Sequence, residues 1–435
     1  MNASFFQDLL GSIAERGRYL IDRSATRASG AGSAARRGLD LYAAAPVTAR
    51  LDFFRFLARD LGPDPTRVRR AWEAYERDPA APASLQGLLH AVEPPRQELF
   101  RRFNLAPGGT AALVHMREDL LSCLGAEPDL KAVDDDFTHL LGSWFNRGFL
   151  VLRRIDWSTP ADILERIIRY EAVHAIQDWH DLRRRVQPAD RRCFGFFHPS
   201  LVDEPLIFVE VALTREMPDS IQALLAEGRE VLAPERATTA VFYSISNCQP
   251  GLKGVSFGSF LIKQVVEELS RDLPGLETFV TLSPVPGFGA WLDRVLDDPT
   301  ASAGVPALDQ VPLRALRQGA EPPTAAAVER LRPTLLGLGA AYFLKAKSAS
   351  GRPLDPVARF HLGNGARLER LNWPGDTSAR GMREAAGLMV NYLYDLRHIE
   401  ANHEAFANDG TVVAADAVRR HLPAAAKPAR EAADV

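Results

Sequence analysis

Ala240-Val-Phe-Tyr-Ser-Ile-Ser-Asn-Cys-Gln-Pro-Gly-Leu-Lys-Gly-Val-Ser-Phe-Gly-Ser-Phe-Leu-Ile-Lys263 reads as a strand, a glycine-bearing loop and a helix in direct succession. Thr239–Ile245 is rich in the β-branched and aromatic residues that favour a pleated, buried surface. A helix is expected over Gly258–Arg271, where Phe260, Leu261, Val265, Val266 and Leu269 recur at helical spacing. Gly251, Gly254 and Gly258 stand between the two. Backbone N–H groups that open a helix point outward, the helix dipole favours negative charge, and glycine puts no Cβ in the way. The ligand such a loop suits is a pyrophosphate. The spacing matches neither a P-loop nor the dinucleotide fingerprint. The plainer alternative is a glycine-rich turn joining a strand to a helix.

Working outward, Glu277–Leu282 reads as the next strand, expected to lie parallel to the first because a crossover helix joins them. Its C-terminal end carries Ser283, held between the strand and Pro284-Val285-Pro286. Ligands in open α/β sheets sit at this edge, although a serine there also serves simply to cap a turn. Gly148–Leu152, Cys193–Phe197 and Leu206–Leu213 read as further strands, and Pro160–Ala172 as a helix. The first third reads as helices over Leu51–Leu61, Arg67–Arg77, Ser84–Val92, Arg96–Phe103 and Gly109–Leu124, separated by Pro and Gly breaks. Arg23–Arg37 carries too little organised apolar surface for more than a loop or a fraying helix. The expected domains are a helical domain over 1–147, a mixed-sheet α/β domain over 148–422 and a frayed tail over 423–435.

The 435 residues suffice for two domains at roughly 100–200 residues each. Lys plus Arg is 52 and Asp plus Glu is 55, a net charge of −3, which speaks against nucleic acid as the main partner. Arg183-Arg184-Arg185 and Arg191-Arg192 read as solvated faces rather than binding stripes. Cys123, Cys193 and Cys248 are far apart and odd in number, so neither a zinc site nor a disulfide framework is expected. A reducing compartment, by default the cytoplasm, fits that usage. His174 and His180 are six residues apart, not a helix-face ligand spacing, and no metal site is expected. His198-Pro199-Ser200 is explained by a strand-loop position. No run of 18 apolar residues suggests a membrane span.

The loop is similar to the coenzyme-A loop of GNAT-type acyltransferases, read here as Lys253-Gly254-Val255-Ser256-Phe257-Gly258-Ser259-Phe260-Leu261, with Ser256 replacing the middle glycine. A wider set of segments resembles the malonyl-CoA decarboxylase family. They are Phe242–Ser246, Gly251–Gly254 with Phe260–Lys263, Leu282–Phe288, Asp355–Ala366, Leu371–Trp373 and Gly387–Tyr392, with weaker similarity at Trp144–Gly148 and Glu171–His174. Several unlike motifs occur in the family's order over roughly residues 140–395. The resemblance implies an N-terminal all-helical bundle followed by a GNAT-like mixed-sheet α/β catalytic domain. It implies conversion of malonyl-CoA to acetyl-CoA and CO2 without metal or other cofactor, by a homodimer or homotetramer. The malonyl-CoA loop falls on Lys253, Gly254, Val255, Ser256, Phe257, Gly258 and Ser259, and the catalytic pair on Ser283 and His361. Ser256 departs from some animal members, which carry a carboxylate there.

That chemistry suits these residue types. Loss of CO2 leaves an enolate whose oxygen needs charge stabilisation and whose carbon needs a proton. His361 precedes the turn signal Gly363-Asn364-Gly365, so it sits at an element end with reach into a cleft. The resemblance casts Ser283 as proton acceptor and His361 as proton donor. Asn391 and Tyr392 read equally well as pocket lining or as packing. Two other functions share the loop. A GNAT-type acyltransferase would need an acceptor base, for which there is no clear candidate. A non-catalytic acyl-CoA-binding protein would have no use for Ser283 and His361.

Overall fold

The computed structural model describes residues 28–255, 261–298, 305–319 and 323–422. Ser256–Ser259, the tail over 423–435 and the N-terminal 27 residues lie outside them. The described chain divides into two compact units.

One unit joins Met1–Val151 to the short segments Phe196–Leu206 and Asn247–Gly258. Its helices are α1 (Ala28–Ala44), α2 (Val47–Arg59), α3 (Pro65–Arg77), α4 (Pro82–Val92), α5 (Pro95–Asn104), α6 (Gly109–Cys123) and α7 (Lys131–Trp144). Phe53, Phe54 and Leu57 of α2 and Leu99, Phe100 and Phe103 of α5 are buried at the spacing of one helix face. Phe100 stacks on Phe137 of α7 with ring centroids 4.1 Å apart.

One sequence expectation is corrected here, and one helix is new. Residues 28–44 form a regular helix that buries Ala34, Ala35, Leu39 and Tyr42, because small side chains allow close approach and Tyr42 donates to Asp119. The helix α7 has no counterpart in the sequence reading. Its Asp134-Asp135-Asp136 run looks solvated, yet Asp134 and Asp136 are buried by Arg117 and Arg96 arriving from other helices. Arg117 donates to Asp134 at 2.8 Å and, with another nitrogen, to the Gly251 carbonyl at 2.8 Å.

The other unit joins Leu152–Gly195, Ile207–Ser246 and Ser259–Val435. The strands are β1 (Val151–Ile155), β2 (Arg191–Phe197), β3 (Pro205–Thr214), β4 (Thr239–Asn247), β5 (Thr278–Thr281), β6 (Ser283–Pro284), β7 (Arg367–Asn372) and β8 (Met389–Leu393). They form one sheet in the order β1-β2-β3-β4-β5-β8-β6, with β7 also on β8. The pair β4–β5 is parallel, while β8 runs antiparallel to β5, β6 and β7. Helices α8 (Ala161–Tyr170), α9 (Trp179–Val186), α10 (Ile221–Leu225), α11 (Leu261–Asp272), α12 (Phe288–Asp297), α13 (Ala307–Gln318), α14 (Ala325–Leu344), α15 (Pro356–Gly363), α16 (Ala379–Ala385), α17 (Ile399–Asp409) and α18 (Asp416–Arg419) complete it. A helical region followed by a mixed-sheet α/β region is the architecture the sequence implies.

The strand read at Gly148–Leu152 begins later, at Val151. The Gly148 N–H donates to Asn146 Oδ1 at 3.0 Å and winds Arg147–Phe149 into a 3-10 turn. The arginine runs are corrected too. Arg185, Arg191 and Arg192 are buried rather than solvated. Arg185 donates to the His174 and Ala175 carbonyls and to Asp181, and Arg191 to the Leu224 carbonyl at 2.6 Å. Carbonyls left over at loop ends supply the acceptors that let a guanidinium leave water. Among the described residues no helix is long and apolar enough to cross a membrane.

A Cβ built at Gly251 lies 1.9 Å from the Val114 carbonyl oxygen of α6. Gly251→Ala is therefore expected to force α6 and the Pro250–Leu252 turn apart and to cost about 1–3 kcal/mol of stability, as overpacking does. Urea unfolding of the variant checks this; an unchanged midpoint would mean the contact yields freely.

Candidate functional site

Ser283 and His361 are brought together. In the parallel pairing Phe242 of β4 lies opposite Thr281 of β5, and the Leu282 N–H continues the ladder to the Phe242 carbonyl at 3.0 Å. Side chains alternate along a strand, so Thr281 and Ser283 share a face while Leu282 enters the core on the other. Ser283 then pairs with Val390 of β8. Its hydroxyl donates to Thr281 Oγ1 at 2.8 Å, and Thr281 Oγ1 also accepts the Tyr392 N–H at 3.1 Å.

His361 rides on α15. That helix opens with Asp355 as its N-cap and Pro356 in the first turn, the residues preferred there. It ends where Gly365, at φ +81°, reverses the chain. A Cβ at Gly365 would lie 2.0 Å from the Ile399 carbonyl oxygen, so only glycine fits this turn. His361 Nε2 lies 3.1 Å from Ser283 Oγ, and Nδ1 lies 2.8 Å from the Tyr394 hydroxyl. The Tyr392 ring stacks on the imidazole at 4.5 Å and 25°. All five side chains are buried.

Burial holds the imidazole neutral, with its pKa pushed down to about 3. The Tyr394 phenol is raised well above its usual range, again by burial, and keeps its proton. With the single Ser283 proton directed at Thr281, Oγ is left to accept, and Nε2 must carry the hydrogen. Nδ1 then accepts from Tyr394. The result is a directed chain, Tyr394 O–H to Nδ1, Nε2–H to Ser283 Oγ, and Ser283 O–H to Thr281.

The Phe242–Ser246 segment carries a second polar cluster. Glu171, which follows α8, accepts from Ser244 Oγ at 2.9 and 2.7 Å, from Ser246 Oγ at 3.3 Å, and from the Val173 and His174 N–H groups at 2.7 and 2.8 Å. Asn391 donates to the Thr281 carbonyl at 2.7 Å and accepts from Arg370 and Asn372, so it locks β8 in place. Among the described residues, no three His, Cys, Asp or Glu side chains cluster as a metal ion would require. His198 has both ring nitrogens occupied, by the Trp144 carbonyl and the Ser200 N–H.

In the glycine loop, Lys253 and Gly254 are exposed and Val255 is buried. The Val255 N–H returns to the Leu252 carbonyl at 3.0 Å, with Lys253 at φ −54°, ψ 127° and Gly254 at φ +77°. That is the geometry of a type II turn, which demands glycine at its third position. Nothing lies within 4 Å of a Cβ built at Gly254, so the turn faces open space.

Two family models match this chain. The malonyl-CoA decarboxylase C-terminal domain covers residues 148–432, and the malonyl-CoA decarboxylase N-terminal domain covers residues 61–145. The chain belongs to the malonyl-CoA decarboxylase family. Members of this family are carboxy-lyases. The malonyl-CoA decarboxylase of Rhodopseudomonas palustris, solved by crystallography, is 56% identical over 94% of this chain and 99% of its own, with a TM-score of 0.86. The crystal structure of malonyl-CoA decarboxylase from Agrobacterium vitis gives 51%, 95%, 100% and 0.89 for the same measures. The mitochondrial malonyl-CoA decarboxylase of Anser anser anser is 37% identical over 399 residues, 85% of this chain and 79% of the relative.

Sequence reading did not single out Tyr394 or Thr281. A signal was present for both. Period-two alternation in Asn391-Tyr392-Leu393-Tyr394 sets both tyrosines on one face, and Thr281 stands two residues before Ser283.

A neutral buried imidazole contributes stability in full above its unfolded value near 6.5 and loses it as pH falls toward about 3, because only the unfolded chain binds the proton in that window. Urea-unfolding free energies are expected to decline with acid more steeply for the native chain than for His361→Asn, by about one proton near pH 5. Parallel slopes would mean that the imidazole is charged or solvated in the folded protein.

Proposed function

We propose that this chain decarboxylates malonyl-CoA to acetyl-CoA and CO2, with Ser283 and His361 acting on the reacting malonyl group. The observation that supports the reading most is the hydrogen bond between Ser283 and His361 inside a chain of this family, with Tyr394 behind it. Breaking the C2–carboxylate bond leaves its electron pair as an enolate on the thioester. The carbon of that enolate is a far stronger base than an alkoxide or an imidazole, so neutral donors suffice. Ser283 O–H turns from Thr281 and delivers its proton to C2, its O–H bond breaking as the C–H bond forms. His361 Nε2–H passes to the alkoxide oxygen, Tyr394 O–H passes to Nδ1, and a proton from water restores the phenol, so that one solvent proton in all replaces the lost carboxylate on C2. The imidazole therefore never has to become an isolated cation in a dry site, which would be costly.

In this reading the diphosphate of coenzyme A lies on the loop Lys253–Ser259, and the reaction uses side chains and backbone without metal or organic cofactor. The type II turn leaves Gly254 without a Cβ on its open side.

Purified protein given malonyl-CoA alone is expected to release CO2 stoichiometrically with acetyl-CoA. Release only on addition of an amine, with acyl transfer to it, would favour the acyltransferase reading instead. Ser283→Ala and His361→Asn are each expected to lower kcat by about 10²-fold or more with the fold intact by circular dichroism. Wild-type turnover in both would remove them from the chemistry. Tyr394→Phe leaves Nδ1 without its donor, and kcat is expected to fall about tenfold, the cost of a buried acceptor left unpaired. Gly254→Val places a β-branched residue at positive φ, and KM for malonyl-CoA is expected to rise about tenfold with kcat little changed; an unaltered KM would put the diphosphate elsewhere.

A further inference from the structure

Ser283 and His361 come from segments 78 residues apart, and something must hold their relative positions to a few tenths of an ångström. Asp355 stands between the two segments. It is 1% exposed. One oxygen accepts the Ala358 N–H at 2.8 Å and so caps α15, the helix that carries His361 two turns on. The carboxylate also interacts with the N–H groups of Val357 and of Gly287, which lies in the turn that follows Ser283. Its second oxygen completes no hydrogen bond of ordinary geometry and lies 3.8 Å from where a Gly287 Cβ would stand.

Tyr342 of α14 closes the same corner. Its hydroxyl is directed at Asp355 and would lie 2.4 Å from a Gly287 Cβ, so glycine at 287 is what lets the hydroxyl reach the turn. Phe288 and Trp291 of α12 pack against the Tyr342 ring at 5.6 and 5.2 Å. The charged and titratable groups that face Asp355 are Tyr342 from α14, Tyr392 from β8 and Arg359 from its own helix. Arg359 is held by the Pro353 and Leu354 carbonyls at 2.8 and 2.7 Å rather than by the carboxylate. Asp355 is thus a buried acid without a close ion-pair partner, and burial accordingly pushes its pKa up to about 6.

We propose that Asp355 is a positioning residue for the Ser283–His361 pair, in which one buried carboxylate caps the helix bearing His361 and braces the turn following Ser283. It touches neither substrate nor reacting atoms; it acts through the pair. The inference rests on the reading that this pair acts on malonyl-CoA. What it requires is a hydrogen-bonding group of the right reach rather than a charge, because one oxygen meets a backbone N–H and the other faces a hydroxyl that can donate or accept.

The decisive variants are Asp355→Ser and Asp355→Asn. Serine keeps a good helix cap, so α15 is retained, but it is too short to reach the Gly287–Tyr342 corner. Asp355→Ser is expected to fold, by circular dichroism and thermal unfolding, and to lower kcat about tenfold while KM for malonyl-CoA stays within about twofold, the size of a lost buried hydrogen bond. Asp355→Asn keeps the capping oxygen and can donate to the Tyr342 hydroxyl, and it is expected to recover most of the turnover. In a His361→Asn background, adding Asp355→Ser is expected to slow the enzyme no further, because effects that run through one residue are not additive. Native kcat in Asp355→Ser, equal loss in both Asp355 variants, or full additivity with His361→Asn would each overturn the proposal. If Asp355→Ser does not fold, Tyr342→Phe, which removes the hydroxyl facing Asp355, is expected to lower kcat and to add no further loss in a His361→Asn background; native turnover or full additivity would overturn the proposal. Failure of the underlying reading is separable: His361→Asn would then turn over normally whatever residue 355 is.

Discussion

An imidazole taken wholly out of water must have both nitrogens satisfied, and a great deal of the sheet-bearing unit follows from that requirement. With His361 neutral, one nitrogen has to donate and the other to accept. Ser283 and Tyr394 fill those two roles from different strands, and Tyr392 covers the ring face. Three segments far apart in the chain, the one bearing His361 included, therefore meet at one ring, and the tolerance for error is that of a hydrogen bond. The devices that achieve this are local and recognisable. They include a capped short helix, a glycine that alone fits the reversal after it, and a strand whose period-two alternation presents two tyrosines together.

The direction of the hydrogen-bond chain matters as much as its existence. Thr281 accepts a hydrogen bond from the Ser283 hydroxyl and another from the Tyr392 N–H, so the serine oxygen faces the imidazole with its lone pairs. A phenol with a strongly raised pKa stands at the far end and remains a donor at every working pH. Such an arrangement holds its hydrogen-bond donors in fixed directions without placing a charge on the buried imidazole.

Elsewhere the same unit handles buried charge by surrounding it with donors or carbonyls. Glu171 receives donors from two serines and two backbone amides, and Arg185 is shared among two carbonyls and Asp181. Glu210, enclosed completely, has its pKa pushed up to about 8 by burial despite Arg185 nearby. Glu171 at the end of α8 holds Ser244 and Ser246 of β4, and Arg185 of α9 faces Glu210 of β3, so polar contacts tie these helices to those strands.

Much of this was legible in the sequence, for reasons of locality. Strand alternation, helical spacing and Pro or Gly breaks act over a few residues, so the helical region, the mixed sheet, the β4–loop–α11 unit and the strand ending at Ser283 could be read directly. The motifs around Ser283 and His361 were visible for the same reason. Burial of a charge was not legible. Asp134-Asp135-Asp136 and the arginine runs resemble solvated faces until their partners are known, and those partners come from other elements. That an imidazole from α15 reaches a serine on β6, that its charge is suppressed, and that Tyr394 fixes which nitrogen bears hydrogen were decided by tertiary structure alone. Each depends on groups brought together from distant segments and on the water excluded between them, and neither periodicity nor composition carries that information.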